Sequence, residues 1–283
     1  MRYHKIHIQC EPQESHKPPF FIGSQIRGAF GYALKQVTCI NPSFTCEGCF
    51  ATPNCLYHQF YEKKNTFHPY RFDFTLGKQS YAFSLYLFDD ATMQLPYVVS
   101  ALHKMLTEIG FGKERVTFQT FSMTLNGVSI LKNNQITLPS IPPNVLQIDR
   151  AQEKIVLHLQ TPLRMKKNNR FVRDVKDLEL KDIVNSIYQR QMQLLGKGYK
   201  KFPYDIEGKM VSTNIHYREL TRRSNRQKST MNLGGLMGEI TIEGLNKESY
   251  EVLKVGELLG AGKSTVFGLG KIEVKYIKGE KSE

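Results

Sequence analysis

From residue 260 onwards the chain reads Gly260-Ala261-Gly262-Lys263-Ser264-Thr265-Val266-Phe267-Gly268-Leu269-Gly270-Lys271. Four glycines and two lysines in these twelve positions predict a loop whose backbone comes close to a large anion. Glycine has no Cβ to hold a ligand away, and backbone N–H groups beside ammonium groups bind phosphate. The alternation from Phe267 to Ile277 predicts that the loop runs into a β-strand. The loop residues expected to contact the anion are Gly262, Lys263, Ser264, Gly268 and Gly270.

This loop is not a nucleotide-binding P-loop, although it contains Gly-Lys-Ser. A P-loop has a glycine, four intervening residues and then Gly-Lys-Ser/Thr, at a turn from a strand into a helix. Here five residues separate Gly256 from Gly262, and a strand pattern follows. We therefore exclude an ATPase of this class.

The positive charge of the chain is unevenly placed. The net charge of the 283 residues is +13, and 17 lysines and arginines stand against 7 acidic residues between Thr161 and Thr230. Such a region attracts polyanions by neutralising phosphates, although a solvated basic surface has the same composition. The sequence lacks an apolar run long enough for a bilayer and the apolar stretch of a signal peptide. We therefore expect a cytoplasmic protein without membrane contact.

Hydrophobic periodicity predicts an α+β fold built from two similar halves. The first half has the order β-α-β-β-α-β, from a strand at Tyr3 to Gln9 to a strand at Val116 to Leu125, with a first helix capped by Ser24. The same order recurs from Ile155 onwards. It predicts two tandem ferredoxin-like domains, whose open antiparallel sheet also serves RNA-recognition modules. The predicted boundaries are an N-terminal domain at 1–138 with a cysteine-rich insertion at about 38–69, a linker at 139–150 and a C-terminal domain at 151–283.

Four of the five cysteines fall within seventeen residues, and this cluster predicts a metal site. Cys46-Glu47-Gly48-Cys49 has the C-x-x-C spacing that lets two thiolates reach one tetrahedral metal. A cytosolic setting argues against disulfides. Four unligated cysteines in a variable loop are the alternative. The predicted ligands are Cys39, Cys46, Cys49 and Cys55, holding structural zinc or, as a second choice, an iron–sulfur cluster.

A basic arm, Arg222-Arg223-Ser224-Asn225-Arg226-Gln227-Lys228, follows a strand pattern that contains His216, Tyr217 and Arg218. Arginines with aromatic residues nearby suit phosphate contacts together with base stacking. A flexible charged hairpin loop is the alternative interpretation.

The chain resembles the CRISPR repeat-processing endoribonucleases of the RAMP superfamily. The matching motifs are spread over nearly the whole chain in the expected order, and the C-terminal loop is the most specific of them. They are Gly23-Ser24-Gln25-Ile26-Arg27-Gly28-Ala29-Phe30-Gly31, the insertion ending Cys55-Leu56-Tyr57, Thr161-Pro162-Leu163-Arg164, Arg223-Ser224-Asn225-Arg226-Gln227, Gly234-Gly235-Leu236-Met237-Gly238, and Gly262-Lys263-Ser264-Thr265-Val266-Phe267-Gly268-Leu269-Gly270-Lys271.

The resemblance implies an enzyme that binds the repeat of a precursor CRISPR RNA and cuts it without a catalytic metal. In the family the 2′-hydroxyl beside the scissile phosphate attacks it, giving a 5′-hydroxyl and usually a 2′,3′-cyclic phosphate. The reaction needs a general base, a general acid and cations that stabilise the developing charge. The residues that the resemblance predicts to contact RNA, besides those of the glycine loop, are Arg27, Arg164, Lys166, Arg222, Arg223, Arg226 and Lys228.

Family members often carry the catalytic histidine between the first helix and the second strand, where this chain has His58 and His68. Histidine suits either proton role because its pKa lies near neutrality. His16 is a third candidate, and Tyr32 on the first helix is predicted to assist proton transfer, although a plain amphipathic tyrosine is the alternative. Many relatives have a histidine two residues before the loop Gly-Lys, but this chain has Gly260 there, so the loop is expected to bind RNA and not to move protons.

The resemblance leaves two other functions open. A noncatalytic RAMP subunit of a guide-RNA complex would share the basic surface and the glycine loop. A zinc-dependent hydrolase is disfavoured, since a site with four cysteine ligands has no position for an activated water. The expected partner is precursor CRISPR RNA, with a type III CRISPR effector complex as a further partner. The chain is expected to act as a monomer or homodimer.

Overall fold

The computed structural model describes residues 1–13, 16–224 and 229–277, and for residues 222–224 and 229–231 it describes the backbone alone. The chain divides into two compact units, Met1–Leu146 and Gln147–Glu283. Within the described ranges, none of the helices has the length and apolar character that a membrane span requires.

The first unit is one antiparallel sheet with two main helices. Its strands have the order β2-β3-β1-β4. The elements are β1 (Arg2–Cys10), α1 (Gly23–Thr38), β2 (Tyr70–Phe74), β3 (Ala82–Phe88), α2 (Leu95–Lys104) and β4 (Phe121–Leu125). Short strands at Val128–Ser129 and Asn144–Val145 pair with β4 and β1, and Leu131–Lys132 forms a separate hairpin with Gln135–Ile136. Short helical turns lie at Thr52–Asn54, His58–Glu62, Asp89–Gln94 and Met105–Ile109.

Period-two alternation decides which face of this sheet carries the core. Ile6 and Ile8 of β1 are fully buried, and so are Ile26 and Phe30 of α1. Covering one face of the sheet with the apolar sides of the helices removes these side chains from water, the main favourable contribution to folding.

The second unit repeats the same order of elements. Its sheet is antiparallel in the order β6-β7-β5-β8. The elements are β5 (Ile155–Leu163), α3 (Leu180–Leu194), β6 (Lys209–Arg218), β7 (Gly235–Glu243), α4 (Lys247–Leu259) and β8 (Ile272–Tyr276). Lys166–Lys167 pairs with Arg170–Phe171, and Thr221–Ser224 pairs with Ser229–Asn232. Short helical turns lie at Val175–Asp177 and Thr265–Phe267.

The predicted α+β class is confirmed, and three local predictions were wrong. Ile22, not Ser24, precedes the first turn of α1, and the buried Ser24 Oγ makes no hydrogen bond within the described part of the chain. The strand expected from Val116 begins only at Phe121. The final strand begins at Ile272, because a helical turn at Thr265–Phe267, flanked by left-handed Ser264 and Gly268, extends the loop.

Candidate nucleic-acid interface and catalytic residues

The glycine loop, residues 260–271, is held on both sides of Gly262 by one helix. The Gly262 N–H donates to Ser186 Oγ at 3.1 Å, and Arg190 Nη2 donates to Gly262 O at 2.7 Å. Ser186 and Arg190 lie one turn apart on α3, and Arg190 is buried. The next residue is also fixed, since the Lys263 N–H donates to Arg164 O at 2.9 Å. Three hydrogen bonds therefore hold the backbone that leads into the exposed Lys263.

A second group of bonds ties the end of the loop to β5. Thr161 Oγ1 donates to Gly268 O and accepts from the Lys271 N–H, both at 2.9 Å. The Gly270 N–H donates to Pro162 O at 3.1 Å, and Gly270 O accepts from the Ala261 N–H at 2.8 Å. The loop is thus closed on itself and on the C-terminal end of the central strand β5.

The loop glycines serve this packing. A Cβ on Gly262 would lie 2.6 Å from Arg164 O, and one on Gly270 would lie 1.9 Å from Ala261 O. Both residues also have positive φ, a region that other residues rarely adopt. The N–H groups of Gly262, Gly268 and Gly270 all donate to protein oxygens. These three N–H groups therefore do not form the predicted phosphate cradle, and the anion contacts predicted for Lys263 and Ser264 stay predictions.

Arg164 has a structural position. Its side chain is buried, and its Nη1 donates to Asn232 O at 2.8 Å and to Gly234 O at 3.2 Å. Its guanidinium carbon lies 4.2 Å from the ring centroid of Phe171. Arg164 thus fixes the backbone that leads into β7, and its contact with RNA stays a prediction, as does that of the exposed Lys166.

The described part of the basic arm lies on a strand that pairs with Ser229–Asn232. Arg222 and Arg223 lie on the strand Thr221–Ser224, where the structure describes their backbone only. Arg226 and Lys228 lie outside the described residues. The RNA contacts predicted for these four residues stay predictions.

In the first unit, the segment that follows the cysteines is packed on α1 through two stacked tyrosines. Tyr61 OH donates to Arg27 O at 2.7 Å, and the Arg27 guanidinium lies 4.5 Å from the Tyr61 ring centroid. Tyr57 stacks on Tyr61 at 5.3 Å, and Lys35 Nζ lies 5.1 Å from the Tyr57 ring. Gly31 makes room for this stack, because a Cβ there would lie 2.5 Å from Tyr61. Burial raises the pKa of Tyr61 well above its usual value, so the phenol stays neutral.

The two predicted catalytic histidines lie on this segment. His58 begins the turn His58–Glu62 and is partly exposed. His68 is also partly exposed, and its Nδ1 lies 3.2 Å from Gln59 O, the residue after His58. Tyr32 is 54% exposed on α1, beside the Gly31 that receives Tyr61. The fold therefore brings the two histidines onto one segment and Tyr32 onto the helix that supports it.

The third candidate, His16, belongs to a hydrogen-bonded network that the sequence did not reveal. Its ring stacks on Tyr81 with an interplanar angle of 8°, and its Nε2 lies 3.2 Å from Tyr81 OH. Because Tyr81 OH donates its proton to Gln25 Oε1 at 2.7 Å, its oxygen is left to accept from His16 Nε2. His16 Nδ1 then faces Glu114 Oε2 at 3.8 Å and is the ring atom that can take up a proton. In the sequence Tyr81 has the pattern of an ordinary core residue. Its contacts with His16 and Gln25 are visible only in the structure.

The predicted metal site of the cysteine cluster stays a prediction. Within the described ranges, no three His, Cys, Asp or Glu side chains are arranged to hold a metal ion. Burial raises the pKa of the Cys46 thiol, Lys35 partly offsets the rise, and the Cys55 and Cys39 thiols add to it. We derive no step that involves a metal.

Comparison with known proteins identifies the second unit. Residues 157–272 match the family model of the CRISPR-associated endoribonuclease Cas6. This unit is similar to Cas6 over most of its length. The predicted resemblance to RAMP-type CRISPR repeat-processing proteins is thereby confirmed. The Cas6 match contains the whole glycine loop together with Arg164, Ser186 and Arg190. Residues 1–141 match a second family model, AF_1859_N, described as an N-terminal domain.

An uncharacterised protein of Archaeoglobus fulgidus is 22% identical over 281 residues, which cover 92% of this chain and 93% of that protein. Among solved structures, a Cas6 product complex superposes with a TM-score of 0.58 at 14% identity, covering 96% of this chain and 99% of the other. Thermus thermophilus Cas6 gives a TM-score of 0.53 at 14% identity, covering 96% and 98%. A Cas6-related protein of Pyrococcus furiosus gives 0.51 at 12% identity, covering 99% of both chains. At these identities the structural likeness establishes the Cas6 fold alone.

Proposed function

We propose that the chain is an endoribonuclease that binds CRISPR repeat RNA and cuts the precursor into guide RNAs. The observation that carries this proposal is the Cas6 match over residues 157–272, which contains the glycine loop and the side chains that hold it. The Cas6 product complex among the structural neighbours supports the same assignment. In this proposal both units are ferredoxin-like modules, which agrees with their repeated β-α-β-β-α-β order.

The chemistry proposed is attack of a ribose 2′-hydroxyl on the adjacent phosphate. The 2′-oxygen forms a bond to phosphorus while the bond to the 5′-oxygen breaks, so the products are a 2′,3′-cyclic phosphate and a 5′-hydroxyl. A base must take the 2′ proton and an acid must protonate the leaving oxygen. His58 is our first candidate for one of these roles, with His68 second and Tyr32 assisting. His16 is the third candidate, since its bond to Tyr81 leaves Nδ1 available for a proton.

The residues proposed to bind RNA include two clusters. Lys263 and Ser264 lie on the glycine loop, whose backbone is held by hydrogen bonds, and the Lys263 ammonium group neutralises phosphate. The basic arm supplies Arg222, Arg223, Arg226 and Lys228 for phosphate contacts. Arg27, Arg164 and Lys166 complete the proposed set of RNA-binding residues.

The assay that tests this proposal is incubation of the purified protein with a cognate repeat RNA in EDTA. We expect one cut, with a 5′-hydroxyl on the downstream fragment. Binding without any cut, with or without added metal, would favour the noncatalytic RAMP subunit. Cleavage that requires added metal would support the zinc-dependent hydrolase. Metal analysis of the same preparation tests the predicted zinc. Its binding to a type III effector complex tests the proposed partner, and its mass in solution tests the monomer or homodimer state.

A further inference from the structure

A second basic surface of the second unit lies on the loop between α3 and β6. This loop, residues 196–208, reads Gly-Lys-Gly-Tyr-Lys-Lys-Phe-Pro-Tyr-Asp-Ile-Glu-Gly, and we call it the lysine–tyrosine loop. Tyr199 is 77% exposed and Tyr204 is 59% exposed. Exposed aromatic side chains interleaved with lysines suit contacts with bases and phosphates.

The loop is anchored at three points, so its exposed tyrosines do not result from loose packing. The Gln189 side chain binds both backbone groups of Lys200, donating to its carbonyl and accepting from its N–H. Phe202 is buried and packs edge-on against Tyr188 at 5.1 Å and Tyr204 at 5.6 Å. Asn246 Nδ2 donates to Asp205 O at 2.8 Å. The Tyr204 ring is thus supported on one side and exposed on the other.

Tyr204 lines a groove of about 590 Å³ between this loop and α3. Lys181, Asn185, Lys201 and Asp205 supply its polar walls. Lys181 is paired with Glu179 at 2.6 Å, so Lys201 is the lining cation for which the structure describes no acidic partner. Asn185 Nδ2 donates to Lys181 O, which leaves the Asn185 carbonyl oxygen as an acceptor beside the Asp205 carboxylate. The Tyr204 ring matches the flat face of a base, and Lys201 matches the nucleotide's phosphate. The two acceptor oxygens match the N–H groups on the edge of the base.

The open sheet face of this unit differs from the groove in the side chains that it presents. On the central strands β5 and β7 the residues on this face include His158 and Glu239, which are paired in register. Glu273 of β8 lies opposite His158 on the other side, and Lys275 Nζ pairs with Glu239 Oε1 at 3.2 Å. RNA-recognition modules stack bases on aromatic residues of their central strands. Here carboxylates stand beside His158 at those positions, whereas the groove presents the exposed ring of Tyr204.

We propose that the groove beside Tyr204 binds one base of a single-stranded RNA segment. Tyr204 stacks on the base, Lys201 neutralises its phosphate, and Asn185 and Asp205 accept hydrogen bonds from the base edge. The proposal rests on the proposed function in that the RNA is the repeat-containing transcript. It adds a contact separate from the glycine loop, because Lys181, Asn185 and Gln189 form one stripe of α3 and Ser186 and Arg190 form the neighbouring stripe.

The test uses the full chain with a fluorescent ten-nucleotide oligouridine and the variants Tyr204→Ala and Tyr204→Phe. Loss of one base-stacking contact weakens binding by at least about fivefold, so we expect that loss for Tyr204→Ala and near wild-type affinity for Tyr204→Phe. Tyr97→Ala is the matched control, because Tyr97 is a 52% exposed tyrosine of the first unit. An oligonucleotide carrying 5-iodouridine should form a photo-crosslink to the peptide that contains Tyr204.

Unchanged affinity for Tyr204→Ala, or crosslinks confined to other peptides, would overturn this proposal. Failure of the proposed function looks different. A wild-type protein that cuts no repeat RNA but binds the oligonucleotide through Tyr204 contradicts the nuclease assignment and supports the groove. Normal cleavage of repeat RNA, together with oligonucleotide binding that Tyr204→Ala does not change, supports the nuclease assignment and contradicts the groove.

Discussion

Arg190 Nη2 donates a 2.7 Å hydrogen bond to the carbonyl oxygen of Gly262, and this bond joins the middle of α3 to the loop that presents Lys263. A buried cation commonly marks a ligand site, but this one binds the protein's own backbone. Its partner residue Ser186 accepts from the N–H of the same glycine. Together they fix the peptide next to the proposed RNA contact.

The first prediction concerns this bond. Arg190→Met removes a charged donor and leaves Gly262 O buried without it, so we expect a loss of about 1.5–3 kcal/mol in the free energy of unfolding. RNA affinity should fall as well, because Lys263 is no longer held in place. Urea denaturation and RNA titration measure the two effects. Arg170→Met, the same change at an exposed arginine of this unit, should alter neither; equal effects at both positions would contradict the account.

The second prediction separates the packing role of a loop glycine from its backbone conformation. Gly270 and Gly244 both have a φ of +67°, but a Cβ on Gly270 would lie 1.9 Å from Ala261 O, whereas nothing lies within 4 Å of one on Gly244. Gly244→Ala should cost about 1 kcal/mol for the left-handed conformation alone. Gly270→Ala should cost clearly more and should weaken RNA binding. Thermal or urea unfolding of both variants measures the two losses of stability. Equal losses in the free energy of unfolding would show that the loop is not tightly packed.

The third prediction uses two glycines of α1. Gly28 has open space around its Cβ position, so Gly28→Ala should stabilise the helix by up to about 1 kcal/mol. Gly31→Ala makes the same change in helix propensity but places a methyl group 2.5 Å from Tyr61. We expect it to destabilise the protein and to displace the segment that carries His58, which lowers the cleavage rate. If both variants stabilise equally, the Tyr61 packing on α1 is wrong.

The fourth prediction assigns the proton-transfer residue. Removing a general acid or base slows a reaction by about 10²–10⁴-fold, so His58→Ala should lower the single-turnover cleavage rate by that amount while RNA affinity changes little. His68→Ala and His16→Ala are tested in parallel, and the variant with the largest rate loss identifies the residue. The exposed His216 provides the control, since His216→Ala should keep its cleavage rate. Wild-type rates for all three variants would contradict a catalytic role for these three histidines.

Local patterns predicted the elements well, and long-range contacts explain what they missed. The helix at Lys247–Leu259 and the strand from Ile155 follow from periodicity, because each has one apolar face. The glycine-dense sequence predicts the loop, but it also predicts a ligand cradle, since sequence does not show that Gly262 lies against Arg164 O.

The side chains that hold the candidate site were the least predictable. Arg190 and Arg164 are charged residues in a basic region, and exposure is the default for such residues. Their burial depends on carbonyl oxygens more than sixty residues away. The pairing of His16 with Tyr81 likewise joins residues separated by 65 positions. Contacts of this kind have no periodic signal in a single sequence.

The most direct measurement of the central claim is cleavage of a repeat RNA that carries one 2′-deoxynucleotide immediately upstream of the cut, with EDTA present. The nucleophile that we propose is absent from this substrate, while its phosphates and bases are unchanged. We predict normal binding and no cleavage at that bond. Cleavage of the deoxy substrate at the normal rate would contradict attack by the 2′-hydroxyl.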